Sequence, residues 1–175
     1  MCSGSASTLT LTGSSGTIQW QKSTVAAPSW TNVTGATTTT LATGNLTTTG
    51  TPTTVSYRAR LTLGTCVDTT DAFVITVSPT TAAGTVAVND ASGTAVCLGG
   101  DKAMKVTGNV GSIQWQSSTA SATAGFADVT GATSTPYTFT NITLPTWYRV
   151  VVKSGACASV SGTAVAITVN QPTAA

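Results

Sequence analysis

The nonapeptide GTIQWQKST (Gly16–Thr24) returns as GSIQWQSST (Gly111–Thr119), and Cys2 and Trp20 return at the same shift of 95 residues as Cys97 and Trp115. WTNVTGAT (Trp30–Thr37) returns as FADVTGAT (Phe126–Thr133), and Tyr57-Arg58 as Tyr148-Arg149. Cys66 returns as Cys157, and FVITVSPTTAA (Phe73–Ala83) as VAITVNQPTAA (Val165–Ala175). Self-similarity of this extent restricts the chain to two homologous domains of about 90 residues each. The shift falls from 96 at TGAT to 91 at the tyrosine. The extra length of the first half is placed in its TTTGTP run, a polar loop of the sort that accepts insertions. The expected boundaries are 1–79 for the first domain, 80–84 for a short linker and 85–175 for the second. TVAV at Thr85–Val88 reads as an opening strand, and only Met1 precedes Cys2, so 1–79 is expected to lack that strand.

Alternation with a period of two decides the element type. In Val55–Leu63 the residues Val55, Tyr57, Ala59, Leu61 and Leu63 point one way, with Ser56, Arg58, Arg60 and Thr62 opposite. Tyr148, Val150 and Val152 repeat the inward set, and Ile18 with Trp20 and Ile113 with Trp115 face inward between glutamines. TGSSG, TGNVG and TGAT punctuate these runs as turns. Composition agrees: the chain carries 40 threonines, and Thr and Val suit the half-buried pleated surface of a strand. The expected fold class is all-β, two tandem immunoglobulin-like β-sandwich domains. Trp20, Trp115, Tyr57 and Tyr148 are the expected core, since each tryptophan removes about 150–250 Å² from water on burial. Trp147 is phased outward; Trp30 and its counterpart Phe126 stand near a loop, where core and rim both remain open.

Tyr57 and Tyr148 stand nine residues before Cys66 and Cys157, and not the two of an antibody domain's tyrosine corner. Those cysteines therefore fall in a hairpin beyond the strand. Each is expected to bridge back inside its own domain, Cys2 with Cys66 and Cys97 with Cys157, in an oxidising, extracytoplasmic setting. MCSGSAS carries neither a charged leader nor an apolar core, so an export signal is expected to lie outside this sequence.

The residues that carry chemistry are scarce. Charged residues are 7% of 175 and the net charge is +2, so no basic field exists to attract nucleic acid. No apolar run approaches the roughly 18 residues needed to span a bilayer, so membrane insertion is not expected. There is no histidine and no glutamate, which removes the usual general base and the commonest zinc ligand. The five aspartates, Asp68, Asp71, Asp90, Asp101 and Asp128, do not recur between the halves as the facing pair that glycosidase chemistry requires. Asp68 with Asp71 supplies too few oxygens by itself for calcium's six to eight. No catalytic, cofactor or metal site is expected, and the chain reads as a non-enzyme. Sequons at Asn32, Asn45 and Asn141 arise readily by chance in so threonine-rich a chain. Arg58 and Arg149 recur on the outward face, where their stems can pack along the sheet or meet a neighbouring domain.

The recurring framework of IQWQ-S, F/W-x-x-VTGAT, YR nine before a cysteine, and ITV resembles the tandem Ig-like repeats of Flavobacterium-type gliding-motility cell-surface adhesins of the SprB type, over nearly the whole chain and twice. That resemblance implies a repeat segment of a long, filamentous protein on the bacterial cell surface, exported by type IX secretion and used in gliding and attachment. Its implied partners are neighbouring repeats of the same chain, the gliding and secretion machinery through other parts of the parent protein, and surface polysaccharide. Asp68-Thr69-Thr70 is similar to the D-S/T-x pattern of O-glycosylation in that phylum. The alternative expectation is a carbohydrate-binding or spacer module of a secreted hydrolase.

Overall fold

The computed structural model describes residues 1–171, which form sixteen β-strands and no helix. The end of the expected second domain, 172–175, lies outside the described residues. Two compact units result. The first comprises Met1–Thr80 together with Gly155–Cys157; the second comprises Thr81–Ser154 and the residues from Ala158 onward. Three residues that belong to the second repeat by sequence are thus part of the first unit.

The first unit is built from β1 (Thr8–Thr10), β2 (Thr17–Thr24), β3 (Ala27–Asn32), β4 (Thr40–Ala42), β5 (Thr53–Leu63), β6 (Cys66–Thr69) and β7 (Phe73–Val77). β5 is its spine. One edge of β5 pairs with β2 from Thr17↔Thr62 to Thr24↔Val55, and β3 continues the sheet beyond β2. The other edge is shared, with β7 along the start of β5 (Thr53↔Val77) and β6 along its end (Leu63↔Cys66). β1 and β4 form a second sheet. Leu9 and Leu41 from that sheet pack with Trp20, Tyr57, Ala59, Ile75 and Val77 from the larger one, so two inward faces close on one core, the definition of a sandwich. The inward phase fails at its last member: Leu63 is 62% exposed, because it lies at the hairpin tip beyond the reach of the facing sheet.

The second unit contains β8 (Thr85–Val88), β9 (Ala95–Cys97), β10 (Gly100–Thr107), β11 (Ser112–Ser118), β12 (Ala127–Asp128), β13 (Tyr137–Ile142), β14 (Thr146–Lys153), β15 (Val160–Ser161) and β16 (Val165–Asn170). Its larger sheet runs β12-β11-β14-β16-β9, with β15 also on β14, and its smaller runs β13-β10-β8. Met104, Val106, Phe139 and Ile142 meet Trp115, Tyr148, Val150, Val152 and Ile167 in the core. The chain is all-β, two tandem immunoglobulin-like sandwiches.

The tryptophan motif and TGAT recur together because each holds the other. The indole N–H of Trp20 donates to the Thr38 carbonyl and that of Trp115 to the Ser134 carbonyl, both at 2.9 Å. Main-chain bonds from Trp20 to Ala36 and from Val33 back to Trp20 are repeated from Trp115 to Ala132 and from Val129 back to Trp115. Gln19 and Gln114 use their side-chain amides to fasten the same turn, at Val33 and Val129 respectively. The motif therefore specifies a buried ring and satisfies the polar groups that its burial would otherwise strand.

Two strands of the second unit, β8 and β9, have no matching strand in the first, where the place of β9 holds only the bridge Cys2↔Ser78. β8 pairs with β10 over Thr85–Val88, placing Val86 in the core with Val88 packed against it. In the first unit β1 pairs with β4 alone, and a cleft of about 450 Å³ opens beside it over Leu9, Leu11, Trp20, Tyr57 and Phe73. Phe73 is 57% exposed there.

Candidate functional site

Two sets of residues recur in both repeats without being required to fill the core: a row on the outer face and the four cysteines. The outer row crosses three strands. In the first unit Gln21 on β2 faces Arg58 on β5 and Asn32 on β3. The Arg58 Nε donates to Gln21 Oε1 at 2.9 Å, and Gln21 Nε2 donates to Asn32 Oδ1 at 3.0 Å. The Arg58 guanidinium lies 4.3 Å from the centre of the Trp30 ring. In the second unit Arg149 Nε donates to Gln116 Oε1 at 2.9 Å and Gln116 Nε2 to Asp128 Oδ1 at 2.8 Å, with the guanidinium 3.9 Å from the Phe126 ring. Trp30 and Phe126 are thus half-buried rim residues beneath an arginine. One face of each aromatic ring is occupied, and each glutamine makes one donated and one accepted bond inside the row. This arrangement stiffens an exposed sheet face by cation–π and hydrogen-bond contacts; it leaves no nucleophile and no paired acid.

Four of the five carboxylates behave likewise, whereas Asp71 lines the cleft beside β1. Asp68 accepts from the Thr69 amide (2.7 Å), Asp101 from the Asn141 amide (2.9 Å), and Asp128 belongs to the outer row. Asp90 accepts from the amide and hydroxyl of Ser92 and lies 3.6 Å from the buried Lys102 ammonium. The Ser92 bonds, seconded by Lys102, hold the Asp90 carboxyl below the usual carboxylate range. Burial pushes the phenols of Tyr57 and Tyr148 up, for Tyr148 against a hydrogen bond with Thr146 that lowers it. Trp20, Trp115, Tyr57 and Tyr148 are all buried, with Trp115 wholly so. Among the described residues no three metal-ligating side chains come together, and no helix is long and apolar enough to cross a membrane.

The cysteines require a correction. Neither Cys2–Cys66 nor Cys97–Cys157 forms. Cys2 is bonded to Cys157, with Cα atoms 4.7 Å apart, and Cys66 and Cys97 are exposed free thiols. The ladder supplies the reason. Cys2 bridges Ser78, just past the Thr53 end of β5, whereas Cys66 faces Leu63 at the other end. Ten ladder steps at about 3.3 Å place them roughly 30 Å apart, and a disulfide tolerates about 7 Å between Cα atoms. The second repeat has the same layout: Cys97 pairs with Asn170 beyond the start of β14, and Cys157 follows its end. Ser78 and Pro79 receive both bonded partners. The Cys157 sulfur lies 3.2 Å from the Pro79 carbonyl oxygen, and the Ala156 amide donates to Ser78 Oγ at 3.4 Å. Gly155, at φ 48°, is required here, since a Cβ would run into Ser78 Oγ.

The spacing of nine residues between tyrosine and cysteine was the available signal that the second cysteine leaves the core strand; the direction in which it leaves was not readable from one repeat. The outer row had a partial signal, since Arg58 and Arg149 recur, but the glutamines and aromatics that hold them lie on other strands.

No curated protein matches the chain. Among solved structures, the chain is similar to a segment of two fibronectin type-III domains from chicken tenascin, at 12% identity and a TM-score of 0.41 over 93% of each chain. A family described as a domain of unknown function (DUF8696) matches residues 1–79 and again 82–171. Those two matches take in nearly the whole chain and coincide with its two sandwiches: the protein belongs to this family, as a tandem pair of its domains.

Proposed function

We propose that this chain is a non-catalytic repeat segment of a long, filamentous bacterial cell-surface adhesin, exported by type IX secretion and used in gliding motility and surface attachment. The observation that carries the non-catalytic part is the use of the recurring outer-row side chains within their own fold: arginines on aromatics and glutamines on arginines. The extracellular part rests on the disulfide, which persists in oxidising compartments. The adhesin and gliding parts rest on the likeness of the repeat framework to the SprB type. The partners on this reading are further repeats, the gliding and secretion machinery through other parts of the parent protein, and surface polysaccharide.

Antibodies raised against the purified chain test it. Intact, unpermeabilised cells of the source should be labelled, and deletion of the parent gene should abolish movement over a surface. Labelling only after permeabilisation would overturn the location, and unchanged movement the role. Hydrolysis or saturable retention of a polysaccharide by the chain would instead favour a module of a secreted hydrolase.

A further inference from the structure

Within one repeat the two cysteines stand at opposite ends of the long strand, and the bond that forms joins the first cysteine of one repeat to the second cysteine of the next. We propose that Cys97 and Cys66 are the two open halves of this same bond. Cys97 takes the Cys66 end of a further copy of the repeat, and Cys66 takes the Cys97 end of another, so that copies join head to tail through disulfides.

The thiol of Cys97 sits in the backbone frame that carries the bonded Cys2. Cys2 bridges Ser78 in parallel, and Cys97 pairs in parallel with Asn170, the residue that corresponds to Ser78. The following amides donate alike, Ser3 to Ser78 (2.7 Å) and Leu98 to Asn170 (3.0 Å). The next pair does so too, Gly4 to Leu46 (2.8 Å) and Gly99 to Ile142 (2.9 Å). The other half is also in place. Gly64-Thr65-Cys66 corresponds to Gly155-Ala156-Cys157, with both glycines left-handed, at φ 61° and 48°. Gly155 needs the absent Cβ because Ser78 stands against it, whereas nothing among the described residues would meet a Cβ within 4 Å at Gly64. The free tip has the same glycine, which its left-handed backbone calls for and which leaves the space a docked partner would need.

Apolar exposure marks both open ends. Leu63 is 62% and Val67 50% exposed around Cys66, over a groove of about 200 Å³. The residue that corresponds to Leu63 in the bonded tip, Ser154, is 4% exposed. Leu98, next to Cys97, is 45% exposed. The two surfaces differ from each other, so the contact is heterologous and can be repeated from copy to copy.

One difference between the tips states what the bond changes. Cys66 remains in the ladder opposite Leu63, and Val67 opposite Thr62. In the bonded tip the corresponding ladder begins only at Val152↔Val160. Joining therefore frees two residue pairs at the end of β5. The chemistry is thiol–disulfide exchange: the Cys97 and Cys66 thiols give up two protons and two electrons to a small disulfide oxidant such as oxidised glutathione, leaving one protein disulfide and two glutathione thiols. This inference stands on the internal bond and the repeat, and holds or fails independently of the adhesin reading.

The test uses the full chain, with Cys2–Cys157 formed, concentrated in oxidised glutathione and followed by non-reducing gels and peptide mass mapping. The wild type should give a ladder of multimers linked by Cys66–Cys97 peptides from different molecules. Cys66→Ser and Cys97→Ser should each remain monomeric alone and give a single dimer when mixed. Leu63→Lys should lower the yield of joined copies several-fold while leaving the rate of Cys66 labelling by a small maleimide unchanged. Single variants that dimerise as readily as the mixture, a Cys66–Cys97 bond inside one molecule, or no joining in either sample would each overturn the proposal.

Discussion

Arg58 and Arg149 show how a charged residue on a nearly uncharged chain is put to use. Each has an aromatic ring beneath its guanidinium and a glutamine oxygen on its Nε. Such stacking contributes about 0.5–1 kcal/mol at exposed sites. A double-mutant cycle on Arg149→Ala and Phe126→Ala should return a coupling of about that size in denaturant unfolding; additive losses would remove the stacking from the account. The ion pair of the second unit predicts a pH dependence. Asp90 is held below the usual carboxylate range by Ser92 and Lys102, so its folded value lies under its unfolded one. Its contribution is complete above the unfolded value of about 4 and is lost as pH falls through the depressed folded value. Thermal unfolding of the second unit should therefore weaken in acid less steeply in Asp90→Asn than in the wild type. Parallel curves would refute it.

Among the elements, β8 makes the largest difference between the two sandwiches. It covers β10 and places Val86 in the core, whereas the corresponding side of β1 is open over a cleft of about 450 Å³. Unpaired strand edges accept further strands. A chain in which a copy of residues 85–96 replaces Met1 ahead of Cys2 should protect the amides of β1 from hydrogen exchange and raise the stability of the first unit. The same graft carrying aspartate at the position of Val86 should not, because its charge would face Leu9, Trp20 and Tyr57. Equal protection of β1 with and without the graft would show that the edge is already closed.

At the scale of the whole molecule, the disulfide is the longest-range constraint, with its cysteines 155 positions apart in sequence. Closing a loop of that length restricts the unfolded chain by up to about 5 kcal/mol in the chain-entropy account. Cys2→Ser should lower the unfolding temperature of the first unit, and Cys157→Ser should do so by the same amount, since each leaves the same bond unmade. Gly155→Ala should slow formation of the bond during oxidative refolding by setting a methyl against Ser78 Oγ. Unequal losses in the two serine variants would reveal a role for one sulfur outside the bond.

The all-β class, the doubling and the buried tryptophans were legible in the sequence, because period-two alternation and internal repetition are local patterns that strand geometry imposes directly. Trp20 and Trp115 announce themselves by their neighbours, and TGAT by its recurrence. The cysteine partners were not legible, since four cysteines spaced alike in two repeats fit bonds inside a repeat as well as bonds between repeats. Only the ladder, which places Cys2 beside Ser78 and Cys66 beside Leu63 at opposite ends of β5, decides between them. A disulfide is satisfied by a few ångströms in space, and separation along a strand pair is set by register, which sequence spacing does not record.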